Sequence, residues 1–118
     1  MDREKMLENF ANSIPDPVVI TGLDHTILFV NRAAVELFKE DESLVGKSLF
    51  FCHNQESKQK METVLEQLKN GEEEVQIPSR QGGSPDNRQH TFMRAIRNAD
   101  GELVGYYERY MYWGKRID

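Results

Sequence analysis

The sequence predicts an α+β domain: a five-stranded antiparallel sheet with helices clamped across one face and a short amphipathic helix ahead of it. Three observations carry this. Stretches with strand character come in two runs, near residues 18–30 and 73–113, separated by a block whose apolar residues recur at helical spacing. Each run holds a turn signal, Leu23-Asp24-His25 in the first and Asn98-Ala99-Asp100-Gly101 in the second. The length, 118 residues, suits one domain.

The elements follow in order. Residues 2–13 carry Met6, Leu7 and Phe10 at helical spacing among charges, and the Pro15 and Pro17 that follow stop the helix. A twelve-residue helix is too short to stand alone, so it must pack on the domain or on a second copy. Val18 to Gly22 and Thr26 to Val30 are β-branched runs joined by a tight turn, hence a hairpin. Asn31 then stands where the period changes to that of a helix bearing Ala33, Ala34, Leu37 and Phe38, and its side chain suits an N-cap. A further helical turn begins at Glu40-Asp41-Glu42-Ser43 and ends at Gly46, and Leu49-Phe50-Phe51 is an apolar knot. The longest helix spans roughly Gln55 to Asn70, its buried face Met61, Val64, Leu65 and Leu68, and Gly71 stops it. Strands follow at Glu73 to Ile77, Gln89 to Arg97 and Glu102 to Trp113, the first two separated by the Gly- and Pro-containing loop Gln81 to Asn87. The first and last hairpins are expected side by side in the sheet. Residues 1–13 thus form a leading helix, 14–113 the domain and 114–118 a tail.

Composition narrows the function. Hydrophobic residues are 38% and charged residues 30%, so the core is thin and part of the surface suits a partner. The apolar runs are far shorter than a membrane span, and no signal segment follows Met1-Asp2-Arg3-Glu4-Lys5. One cysteine forms no internal disulfide and no Cys-rich zinc site, which points to the cytoplasm. The net charge of −5 argues against nucleic acid, and the acidic excess lies early: 15 acids and 8 bases in residues 1–74, 5 and 7 in residues 75–118. The three histidines are scattered, without metal-ligand spacing, and no nucleophile–base pair or phosphate loop stands out, so the reading is not that of an enzyme.

Ile14-Pro15-Asp16-Pro17-Val18-Val19-Ile20-Thr21, then Asp24, Val30-Asn31-Arg32-Ala33-Ala34, Leu37-Phe38 and Leu44-Val45-Gly46-Lys47-Ser48 resemble the first half of a PAS sensory domain. Arg97-Asn98-Ala99-Asp100-Gly101-Glu102-Leu103-Val104-Gly105 resembles its last hairpin. The resemblance covers about residues 8–113. It implies a five-stranded sheet with a helical clamp around a small cavity, in a family whose members bind haem, flavin, small organic acids or metals, or bind nothing and mediate dimers. Gly46 to Ser57 is also similar to a PAS subgroup with a Gly…Cys-His…Ser signature. Two departures matter. Cys52 lies six residues after Gly46, outside the setting of the blue-light flavin members, so flavin-adduct photochemistry is not implied. The Asp-Ile-Thr that closes many PAS domains is replaced by Tyr112-Trp113-Gly114.

The candidate site residues are His53, Cys52, Phe38, Phe51, Phe92, Arg94 and Tyr107. In haem-binding members an axial histidine comes from the long helix or its neighbourhood, and His53 matches that place; the commoner role for such a residue is a helix cap or a bond to a loop carbonyl. Cys52 at a helix start suits a sensor thiol, or a small buried apolar residue. His25, in a turn, is expected to be solvated. On the last strand Tyr106, Glu108, Tyr110 and Tyr112 share one face, and Tyr107, Arg109, Met111 and Trp113 the other. Both carry aromatics, so which face turns inward stays open. Phe92, Arg94 and Tyr107 are the candidate lining from the strands, and an inward arginine would need an anion such as a ligand carboxylate. The expected function is a PAS sensor that binds a small ligand, forms a homodimer through its first helix and outer sheet face, and signals to a separate effector. The alternatives are a ligand-free dimerisation module and, more remotely, a small-molecule enzyme in a curved-sheet cavity. The cofactor stays unknown.

Overall fold

The structure is a computed structural model that describes residues 2–38, 44–52, 55–77 and 88–113, the side chains of Phe38, Phe51, Cys52, Arg88, Gln89, Met111, Tyr112 and Trp113 excepted. Helix α1 (Arg3–Ser13) opens on Asp2, whose carboxylate accepts the Lys5 amide at 2.6 Å, and closes at Ile14 ahead of the prolines. The hairpin β1 (Val18–Gly22) and β2 (Ile27–Val30) comes next, then α2 (Arg32–Phe38), a 3-10 turn at Leu49–Cys52 and the long helix α3 (Gln55–Lys69). The chain ends in β3 (Glu74–Ile77), β4 (Arg88–Arg97) and β5 (Leu103–Trp113). Each lies within about a residue of its expected span. The helical turn expected at Glu40 to Ser43, the loop Gln81 to Asn87 and the tail 114–118 fall outside the described residues.

The sheet order is β2-β1-β5-β4-β3, antiparallel throughout. The two hairpins meet at the β1–β5 pair, as the element order requires. The last strand is therefore the middle one, and everything on it is flanked on both sides. The β1–β5 pair closes tightly where Gly22 faces Gly105: a Cβ at Gly105 would stand 2.7 Å from the Thr21 carbonyl oxygen.

Register decides the faces. Val19, Glu108, Met93 and Val75 lie in one row across four strands, and Thr21, Tyr106 and Ala95 in another. Val19, Met93 and Tyr106 are buried with Met61, Val64, Leu65 and Leu68, the α3 residues read from the sequence as its buried face. This is the interior side. Ile20, Tyr107, Arg94 and Glu74 alternate onto the outer side.

Two polar devices lock the helices to the sheet. Asn31, fully buried, caps α2 by accepting the Ala34 amide and accepts the Val18 amide with the same oxygen, each at 2.9 Å. Its amide nitrogen donates to the carbonyls of Ala11, Ile14 and Asp16. One side chain thus joins the end of α1, β1 and the start of α2. Arg97 does the same for α3: its guanidinium donates to the Leu68 carbonyl at 2.7 Å and the Glu72 carbonyl at 3.2 Å, and pairs with Glu73. The Leu68 carbonyl, in the last turn of α3, also accepts the Gly71 amide, and the Glu72 carbonyl lies just past the helix end.

Beyond its tether, α1 buries none of its residues. Met6, Leu7 and Phe10 are 54%, 60% and 62% exposed. Leu7 and Ala11 form one wall of an open groove of about 380 Å³ whose other wall is Ile20, Phe29 and Val45. Among the described residues, no helix is long and apolar enough to cross a membrane.

Candidate functional site

The interior face of β5 carries polar groups where an apolar core would be cheaper. Alternation along the strand turns Tyr106, Glu108 and Tyr110 to the interior side, and all three are buried. Glu108 is 2% exposed, between Val19 of β1 and Met93 of β4. The Tyr110 hydroxyl, two residues on and on the same face, donates to its carboxyl group. Tyr106 pairs in register with Thr21, which is also fully buried. The Thr21 hydroxyl stands beside the Tyr106 hydroxyl, yet closes no hydrogen bond of normal geometry among the described residues.

His25 completes the row from the β1–β2 turn. Its backbone takes φ 69°, the left-handed region that non-glycine residues enter at a cost. That conformation turns the ring inward, where Nδ1 lies 2.7 Å from the Tyr106 hydroxyl and the ring stacks on Phe50 at 4.2 Å between centroids. The expectation of a solvated His25 is therefore corrected: it is half-buried, held by a phenol and a phenyl ring.

Burial sets the charges. It pushes the Glu108 carboxyl up to about 7, with the Tyr110 hydrogen bond pulling the other way. Burial, aided by the negative charge of Glu108, raises the Tyr106 phenol above its ordinary range. Burial lowers His25, against the pull of Glu62 and Asp24. The group is thus a carboxylic acid poised near neutrality, a Tyr106 phenol that stays protonated and an imidazole biased to neutral. Chemically it can accept and donate hydrogen bonds and exchange one proton.

The residues singled out from sequence fall elsewhere. Phe92, Arg94 and Tyr107 do not line the interior: the β3–β4–β5 register turns all three to the outer face. There the anion that Arg94 needs is Glu74, whose carboxylate oxygen lies 4.0 Å from Arg94 and 3.6 Å from Arg109, while the Arg109 guanidinium sits 4.8 Å from the Phe92 ring centroid. His53, the residue through which a haem would be held, lies outside the described residues, as do the side chains of Phe38, Phe51 and Cys52. Glu108 is the residue the sequence reading missed as a site. Its signal was present: a lone acid between tyrosines, in Tyr106-Tyr107-Glu108-Arg109-Tyr110.

A family model described as the PAS fold matches residues 11–111. Among solved structures, the PAS domain of BvgS from Bordetella pertussis superposes with a TM-score of 0.73 at 16% identity, covering 98% of this chain and 90% of that one. A sensory box sensor histidine kinase from Vibrio cholerae gives 0.66 at 15% identity, covering 93% and 91%. VqmA bound to DPO, a Vibrio protein, gives 0.65 at 14%, covering 93% and 57%. No curated protein matches the sequence. The matched span takes in β1 to β4, β5 as far as Met111 and all the interior groups described above, and on it the chain belongs to the PAS family.

Proposed function

We propose that this chain is a signalling PAS module, not an enzyme, that binds a small ligand on the interior face of β5, works in the cytosol as a homodimer and passes its signal to a separate effector. The observation that carries the reading is the buried, hydrogen-bonded pair of Glu108 and Tyr110 on the same face as Thr21, whose hydroxyl closes no hydrogen bond of normal geometry among the described residues. Burying a carboxyl group, and leaving a hydroxyl in a core without a partner at about 1–3 kcal/mol, are costs that a role in binding would offset. The place is consistent with a fold whose similar structures include a sensor histidine kinase and VqmA bound to DPO. Native mass spectrometry of the purified protein tests it: a retained small molecule, lost on denaturation, is expected. Protein that carries nothing and takes up nothing from a metabolite extract would overturn the reading.

A ligand-free dimerisation module is the second reading, favoured by the exposed Met6, Leu7 and Phe10, of which Leu7 lines the groove. Sedimentation separates the parts of the proposal. A dimer that Leu7→Glu dissociates is expected, and a monomer at high micromolar concentration would remove the homodimer from both readings.

A further inference from the structure

We infer that His25, Tyr106 and Thr21 form a proton-driven hydrogen-bond switch: the Tyr106 hydroxyl donates to a neutral His25, and turns to donate to Thr21 when His25 takes a proton. The switch needs no bound ligand.

Three polar groups stand in a chain. His25 Nδ1 lies 2.7 Å from the Tyr106 hydroxyl. Thr21 pairs in register with Tyr106 and is fully buried. Its hydroxyl lies beside the phenol and closes no hydrogen bond of normal geometry among the described residues. A phenol has one proton to donate. The lone pair of a neutral Nδ1 takes it, and Thr21 goes without. An imidazolium donates through both nitrogens, so Nδ1–H then donates to the phenol oxygen and the phenol proton loses its acceptor. The Thr21 oxygen is the acceptor beside it. The one proton comes from solvent, and the side chains pass none among themselves. A proton taken up at the half-buried turn thus becomes a new side-chain bond between β1 and β5, the strands at which the two hairpins meet.

The ring is held from several sides, so a proton reverses the bond and leaves the ring in place. The His25 amide donates to the Gly22 carbonyl at 3.0 Å, its carbonyl accepts the Leu49 amide at 2.7 Å, and Phe50 stacks on the ring. These contacts hold the left-handed φ of 69°. The Phe50 ring also offers a cation its negative face. Asp24 in the same turn and Glu62 of α3 favour the imidazolium, and Lys69 of α3 opposes it. Lys47, the charged residue of the segment 44–50, is exposed. From β5, Glu108 acts on Tyr106 and holds its own proton to about pH 7. Burial keeps His25 below its ordinary value of 6.5, so the switch turns in acid, where Glu108 is already neutral.

Nitrogen-15 NMR of the histidine rings in the whole protein, titrated from pH 8.5 downwards, tests the switch, with His25→Gln assigning the signals. His25 Nδ1 is expected to be bare at pH 8.5 and protonated in acid, with the contact between the His25 and Phe50 rings kept. Thr21→Val keeps the shape and removes the acceptor of the turned phenol. It is expected to lower the His25 midpoint by roughly 0.7 pH unit, about fivefold in proton affinity, the size of one hydrogen bond. Thr21→Ser should keep the wild-type midpoint. In a Tyr106→Phe background, Thr21→Val should leave the midpoint where it is, because the phenol carries the coupling. Four results overturn the inference: an Nδ1 protonated throughout, a His25 that takes no proton or leaves Phe50 while the chain is folded, a midpoint indifferent to Thr21→Val, and an equal shift with and without the phenol.

Discussion

Replacing Glu108 with glutamine should make the protein more stable at neutral and alkaline pH. The folded chain holds the Glu108 proton to about pH 7, whereas the ordinary value is 4.5. A group whose value is raised by folding contributes its stability below the unfolded value and loses it as pH rises to the folded one. The wild-type protein therefore loses stability through Glu108 between about pH 4.5 and pH 7, and the loss is flat above that. At roughly 1.4 kcal/mol per unit, the gap amounts to about 3 kcal/mol. Glutamine has nearly the same shape, can bond the Tyr110 hydroxyl and carries no charge, so it escapes the loss. Urea unfolding followed by circular dichroism, at half-unit steps from pH 4.5 to 8.5, gives the assay. The difference between variant and wild type removes every other titrating group. It should be small at pH 4.5, climb through pH 6 and level off near 3 kcal/mol by pH 8. With urea slopes of about 1–3 kcal/mol per molar, the midpoint moves by one molar or more. A difference that stays constant across this range would show that Glu108 ionises as readily in the folded chain as in the unfolded one.

Three further outcomes are expected. Gly105→Ala should cost about 1–3 kcal/mol in urea unfolding, because its Cβ would meet the Thr21 carbonyl oxygen at 2.7 Å and part β1 from β5; an unchanged midpoint would refute that packing. Asn31→Asp keeps the acceptor of the Val18 and Ala34 amides but loses the three donations to the carbonyls of Ala11, Ile14 and Asp16. Hydrogen exchange in α1 should quicken at least tenfold, more than in β5, and equal protection would deny the tether. Arg97→Ala should cost roughly 1–2 kcal/mol, and Arg97→Lys should restore less than half, since one ammonium does not span the Leu68 and Glu72 carbonyls together; full rescue by lysine would mean that charge, not geometry, holds the end of α3.

Local physics was legible from residue order alone. The four apolar residues of α3 follow a helical period, and they are the four it buries. Gly71 and Gly101, read as stops and turns, take φ of 109° and 81°. Asn31 was readable as a cap, because capping is a matter of the next few amides. Its second half was not readable: the three carbonyls it binds lie fifteen to twenty residues back. Arg97 is the same case, since its partners are 25 and 29 residues away. His25 was misread because a turn position suggests water, whereas the stack on Phe50 and the bond to Tyr106 come from elements brought over it by the fold.

By itself the sequence determined the elements, their order and the PAS architecture, since periodicity, turn residues and caps act over a few positions. Only the tertiary structure decided which side of β5 is the inside. Alternation divides the strand into two sets, each with aromatic residues and each with a charged residue, Glu108 on one and Arg109 on the other, so hydropathy does not choose between them. The register against β1 and the packing of α3 place Glu108 inside and Arg94, Arg109 and Tyr107 outside. A pairing shift of one residue would have reversed every one of those assignments. The charge of the interior follows from that choice.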